Sequence, residues 1–174
     1  MRVVIKFPGS LYEAVRRDLE RPHAFAEERV GFVTGRIGTL SGEACAVLLS
    51  RYDAIPDNDY VEDLDVGAKI GQNAIVRATQ AAYYGRAARE GIFHIHLHPH
   101  RGETWVSRVD ARDTPQIIQG IQAVSPNAPH GIVILSMDHG SGWVWLPSSK
   151  QPIPAESVNV IGAPIGVFER RKPK

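Results

Sequence analysis

The segment Phe93-His94-Ile95-His96-Leu97-His98-Pro99, with Ser107-Arg108-Val109-Asp110 beyond it, is where this sequence could do chemistry. Side chains at i and i+2 of a strand share a face, roughly 7 Å apart, so two alternating imidazoles can converge on one ion with little backbone strain. Zinc takes imidazole nitrogens and carboxylate oxygens at about 2.0–2.2 Å, and a catalytic zinc keeps three protein ligands and one open position. Two histidines and one aspartate make such a set, so the pattern reads as a zinc hydrolase site. Histidines on a strand can also be partly buried polar residues with hydrogen-bond partners. Three in strict alternation, His94, His96 and His98, are hard to satisfy in a core without a metal. Asp110 is the better carboxylate candidate, presented at a helix start, with Asp113 as the fallback. Ser107 and Asp110 also fit the Ser-x-x-Asp helix-capping pattern, which needs no catalysis. Glu27 and Glu28 precede an apolar strand and on their own read as solvated strand-edge charges.

The elements that must position these residues follow from periodicity and breakers. Residues 3–7 predict a strand, Pro8-Gly9-Ser10 a turn with Ser10 as N-cap, and 11–19 a short amphipathic helix. Residues 28–40 and 43–52 carry β-branched and apolar side chains around Ser41-Gly42, the pattern of a β-hairpin. Residues 53–65, rich in Asp, Glu, Asn and Pro, predict a loop; 70–90 have the Ala-rich spacing of a long helix ending at Gly91. That helix delivers the chain to the histidine strand. Residues 109–124 predict a further helix, and 130–137, 142–146 and 158–161 strands. This order argues for an α/β fold, a mixed sheet with helices packed on it.

Composition bounds the rest. A chain of 174 residues, 43% apolar, is one domain able to bury a core without disulfides or a structural metal. The single cysteine, Cys45, lies in the apolar run Ala44-Cys45-Ala46-Val47-Leu48-Leu49; it reads as a small core residue and fits a reducing, cytoplasmic location. No stretch approaches the roughly 18 to 20 apolar residues of a membrane span, and the N-terminus is too short for a signal-peptide core, so neither membrane nor export is expected. A net charge of +1 leaves no global field to gather nucleic acid, and the basic end, Glu169-Arg170-Arg171-Lys172-Pro173-Lys174, reads as a solvated tail.

Three blocks together, Glu28-Arg29-Val30-Gly31-Phe32-Val33-Thr34-Gly35, His96-Leu97-His98-Pro99 and Ser107-Arg108-Val109-Asp110, resemble the JAMM/MPN (JAB-type) metallopeptidase family over about residues 25–147. The family pattern is a glutamate on an early strand in a Glu-x-x-Gly context, His-x-His-Pro at a strand end, and Ser-x-x-Asp on the following helix. The resemblance implies His96, His98 and Asp110 as Zn2+ ligands, Glu28 as general base and acid, and Ser107 as hydroxyl donor to the oxyanion. It implies a cytidine-deaminase-like fold, with residues 1–24 as an N-terminal strand–helix extension, 25–168 as the JAB/MPN domain and 169–174 as a basic tail. The sequence departs from the pattern at Leu97, where Ser or Thr is usual, and in a His98-to-Ser107 run one residue longer, with Gly102 there to absorb it. His94 then falls to a supporting or substrate-facing role.

The resemblance further implies a substrate: the bond after the Gly-Gly end of a ubiquitin-like protein. A compact stand-alone chain is similar to bacterial members tied to ubiquitin-like conjugation systems, some in antiphage defence, with activating and conjugating enzymes as pathway partners. The acidic stretch Asp53, Asp57, Asp59, Glu62, Asp63 and Asp65 offers itself to an arginine-bearing modifier tail, or is simply solvated. Rival classes are an inactive MPN-like scaffold, a peptidase for sulfur-carrier proteins or short peptides, a three-histidine hydratase using His94, His96 and His130 or His139, and an iron oxygenase with two histidines and a carboxylate.

Overall fold

Apolar runs with β-branched residues become nine strands and the Ala-rich and amphipathic stretches become three α-helices in the computed structural model, which describes residues 1–39, 44–63, 65–147, 149–162 and 165–170. In chain order these are β1 (Arg2–Pro8), α1 (Gly9–Leu19), β2 (Val30–Thr39), β3 (Ala44–Ala54), α2 (Gln72–Gly85), β4 (Gly91–Leu97), α3 (Arg108–Val124), β5 (His130–Leu135), β6 (Gly140–Trp145), β7 (Ile153–Pro154), β8 (Ser157–Ile161) and β9 (Gly166–Glu169). All strands belong to one mixed sheet in the order β7-β6-β5-β4-β2-β3-β1-β8-β9. The expected mixed α/β architecture is therefore present.

β2 and β3 form the expected antiparallel hairpin, with an irregularity between Thr34 and Gly35; its turn, Ser41-Gly42, lies outside the described residues. β4 runs antiparallel to β2 and parallel to β5, and every residue of β4 and β5 is buried. Strands covered on both faces read as near-continuous apolar runs, which is why the histidines stand out in this one. The first strand, expected as part of an extension, pairs in parallel with both β3 and β8 and so lies within the sheet.

The sheet curls. Gly142 of β6 faces Ile5 of β1, and a Cβ at 142 would collide with Ile5 Cδ1. Inside the curl, Ile5, Phe7, Val47, Leu49, Phe93, Ile95 and Val133 form one core with Tyr12, Val15 and Leu19 of α1. On the outer face α2 packs over Val30, Phe32 and Ile92, and α3 over Ile132, Ile134 and Trp145. Alternation along β4 thus gives Phe93, Ile95 and Leu97 to the inner core and turns His94 and His96 outward, toward the helices.

Some boundaries differ from the sequence expectation. α1 begins at Gly9 with Pro8 at the N-cap position, not Ser10, because proline ends β1 with an extended backbone and needs no N–H there. α2 stops at Gly85 and gives way to a short 3-10 turn, Arg86–Ala88, closed by Arg89 at φ 54°. Gly91 is not the helix stop. It opens β4 at a point where any Cβ would collide with the Pro129 carbonyl oxygen. The segment 53–65 contains the end of β3 and a 3-10 turn, Asp57–Asp59. The two-residue β7 and four-residue β9, in Pro-rich and mixed sequence, went unread. Among the described residues no helix is long and apolar enough to cross a membrane.

Candidate metal centre

β4 delivers His94 and His96 to the outer face, and His98 follows in register because its N–H donates to Leu135 O (2.8 Å), prolonging the pairing with β5 by one step. His96 Nε2 and His98 Nε2 stand 3.1 Å apart. Two nitrogens bound tetrahedrally to one zinc at about 2.0–2.1 Å lie roughly 3.3 Å from each other, so this spacing suits a shared ion.

The carboxylates arrive from elements distant in sequence. Ser107 caps α3: its Oγ accepts from Asp110 N (3.0 Å), while its own N–H donates to Asp110 Oδ2 (3.0 Å). The reciprocal pair satisfies two helix-end donors and fixes the Asp110 rotamer. The same Oδ2 lies 3.6 Å from His96 Nε2. Asp113, one turn on, pairs instead with Arg112 (2.6 Å). Glu28, just before β2, places Oε1 3.9 Å from His98 Nε2. Glu28, His96 and His98 offer ligand atoms that all lie within 4.8 Å of one another, close enough to hold a metal ion.

The electrostatics favour the neutral form of His94 and His98 and the ionised form of Asp110. Burial, then the neighbouring His96, lowers His94 to about 3 and His98 to about 4. Neutral imidazole is the form that ligates. Burial would raise Asp110, but His96 and the Ser107 donors outweigh it and hold the group well below the usual carboxylate range. Glu28 is raised, mainly by burial, with His96 opposing and Asp110 adding to the effect. His94 Nδ1 and His96 Nδ1 are buried without a hydrogen-bond partner among the described residues. Polar atoms in that condition are costly, and for His96 an ion at Nε2 would not relieve the cost at Nδ1, so the fit to a metal rests on the imidazole and carboxylate donors themselves. The donor set fits zinc.

These groups open into a cleft of ≈ 470 Å³. Its lining includes Asp63, Gly67 and Lys69, Ser107, Asp110 and Thr114, and the three histidines. Between His98 and Ser107, Gly102 stands at φ 92°; its N–H donates to Asp138 Oδ1 (2.6 Å) and its carbonyl accepts from Ser136 Oγ (2.7 Å). The loop is thereby tied to the turn after β5, and Ser107 keeps its place at the helix start.

Sequence reasoning passed over His100 and Trp105, which stack at 4.5 Å beside the His98 ring. The alternation begun at His94 continues through His100 and could have flagged it; nothing in the sequence points to Trp105. His130 is engaged elsewhere: Nδ1 accepts from Ile92 N (3.1 Å) and Nε2 donates to Ser125 O (2.9 Å), so it has no nitrogen for a metal. Half of the acidic stretch has internal partners, with Asp57 bound to Arg29, Asp59 to Arg77 and Asp63 to Lys69. Compared with known families and characterised proteins, the chain matches no family model and no curated sequence.

Proposed function

We propose that this chain is a zinc peptidase of JAMM/MPN type, built on a cytidine-deaminase-like architecture, that cleaves the bond after the C-terminus of a ubiquitin-like protein. The observation that supports the reading is the pair His96 Nε2 and His98 Nε2, 3.1 Å apart, with Asp110 Oδ2 3.6 Å from His96 and Glu28 Oε1 3.9 Å from His98, although the three ligand atoms that all lie within 4.8 Å of one another are those of Glu28, His96 and His98. His96, His98 and Asp110 would hold the ion. When bound, zinc supplies Lewis acidity, polarising a carbonyl and bringing the pKa of a water toward about 7.

The residues of the chain do the remaining work. Glu28 takes a proton from the water at Oε1 and returns it to the departing amine; its raised proton affinity in the half-buried cleft suits a group that must both accept and give. Ser107 Oγ accepts from Asp110 N, which leaves its hydroxyl hydrogen free to donate to the oxyanion from the cleft lining. The Ser107 N–H on Asp110 Oδ2 holds the carboxylate in the orientation a ligand needs. The pathway would supply the modifier through its activating and conjugating enzymes, in a defence setting among others.

A second reading takes Glu28, not Asp110, as third ligand, favoured by the proximity of Glu28, His96 and His98; two histidines and one carboxylate also suit non-haem iron. One experiment separates them. Zinc-loaded wild type, Glu28→Ala and Asp110→Ala are assayed for bound metal and for cleavage of a ubiquitin-like protein extended beyond its C-terminal glycine. The peptidase reading expects turnover by wild type alone, zinc retained in Glu28→Ala and zinc lost in Asp110→Ala. Metal lost with Glu28 and kept without Asp110 favours the iron set. Inert wild type with zinc bound, across several modifiers, favours a scaffold.

A further inference from the structure

Glu28 lies outside the sheet ladder, which begins at Val30 opposite His96, so strand pairing does not hold its backbone. Among the described residues, most of what holds it comes from one segment, residues 57–63 and 65–71, with Arg21 and Pro22 adding the rest. Glu27 N and Glu28 N both donate to Gly67 O, at 2.8 and 3.1 Å. Arg29, its side chain 1% exposed, donates through Nη1 to Asp57 Oδ1 (2.8 Å), while Nε and Nη2 take Arg21 O (2.8 Å) and Pro22 O (3.0 Å). Tyr60 Oη accepts from Val30 N (2.9 Å) and donates to Val30 O (3.1 Å). Ties at 27, 28, 29 and 30 therefore bracket the glutamate.

The segment is itself closed at its base. Val61 N donates to Lys69 O (2.8 Å), Gly71 N to Asp59 O (2.6 Å), and Asp59 pairs with Arg77 of α2. Its inward side is shaped for the glutamate: a Cβ at Gly67 would stand 3.3 Å from Glu28 Cδ and 3.4 Å from Oε2. A side chain there would press the Glu28 carboxyl aside by a few tenths of an ångström.

We infer that Gly67, and the Arg29–Asp57 pair that fixes its segment to the strand start, are positioning residues for the Glu28 carboxylate. They touch neither the proposed ligands nor the reacting bond; they set where the proton-transferring oxygen sits. The catalytic part of this inference rests on the peptidase reading, and the geometric part does not.

Arg29 is a poor first variant, since a buried guanidinium removed leaves three acceptors unpaired and threatens the fold. Asp57, 60% exposed at its side chain, is the better one. In zinc-loaded, full-length Asp57→Ala, amide hydrogen exchange at Glu27 and Glu28 should speed at least tenfold while the β4 amides keep their protection and bound zinc is unchanged. Displacing a catalytic group by about 1 Å can cost on the order of 10²-fold, so kcat toward the extended ubiquitin-like substrate should fall at least tenfold with KM within about twofold. Gly67→Val, which pushes the carboxyl directly, should lower kcat further with zinc retained. Unchanged exchange at 27 and 28, or protection lost evenly across the sheet, overturns the inference. Should wild type cleave nothing, the peptidase reading falls, and the exchange comparison still decides whether this segment holds Glu28.

Discussion

Ser107 serves two masters, and its roles can be separated by substitution. As N-cap it accepts from Asp110 N, and losing that bond in Ser107→Ala should destabilise the protein by about 1 kcal/mol, against only a few tenths for Ser107→Gly. Both variants lack the hydroxyl that the proposed mechanism aims at the oxyanion, so both should lose kcat alike, by about 10²–10³-fold. Urea midpoints beside steady-state kinetics check this. A kcat loss tracking stability, large in Ala and small in Gly, leaves Ser107 as a cap alone. At this scale the sequence was legible where chemistry and spacing coincide. His96, His98, Ser107 and Asp110 carry their types openly, whereas Glu28 on its own read as a solvated strand-edge charge and stood out only through the resemblance; all five line one cleft. Gly67, Arg29 and Asp57 were not legible, because their roles exist only through contacts between segments about 30 to 40 residues apart.

Among the elements, the histidine strand and the two helices that flank the cleft were readable from period and propensity, whereas their ends were not. α2 ends early because the chain must turn through Arg89 and reach Gly91 where β4 passes the Pro129 backbone, a long-range constraint invisible to local pattern. Nor could a strand of two residues announce itself before its partner was known. The loop between β4 and α3 is fastened at one glycine. Gly102 adopts φ 92° and is bound on both sides to the 136–138 turn. Open space surrounds its Cα, so Gly102→Ala meets no clash and should cost only the backbone strain, about 1–2 kcal/mol. Bound zinc should stay at one equivalent, because Ser107 and Asp110 are held by their own reciprocal bonds. A Gly102→Ala protein of normal stability that cannot hold zinc would show that the loop, and not the cap, places Asp110.

Taken whole, the molecule buries His94, His98 and His130 where their protonated forms are disfavoured, and this gives the metal-free protein a definite weakness to acid. His94 is lowered to about 3 and His98 to about 4, and burial lowers His130 as well, against an unfolded value near 6.5. The sign follows from proton counting. Above pH 6.5 both states are neutral at these positions and the stability is full. As pH falls below 6.5 the unfolded chain takes up protons that the folded chain refuses, and stability is lost until the folded values are reached. Each such proton removes about 1.4 kcal/mol per pH unit at most. In chelator, the urea midpoint should therefore drop steeply between pH 6.5 and 4, with a slope reflecting more than one proton. His94→Leu should reduce that slope by about one proton, since this ring is buried and its Nδ1 has no partner among the described residues. Saturating zinc should shift the whole decline to lower pH, because an ion on His96 and His98 competes with protons for the same nitrogens. A midpoint flat from pH 7 to 5 in chelator would mean that these histidines open to water together with their protons, and that the cleft lining is not the closed surface its burial describes.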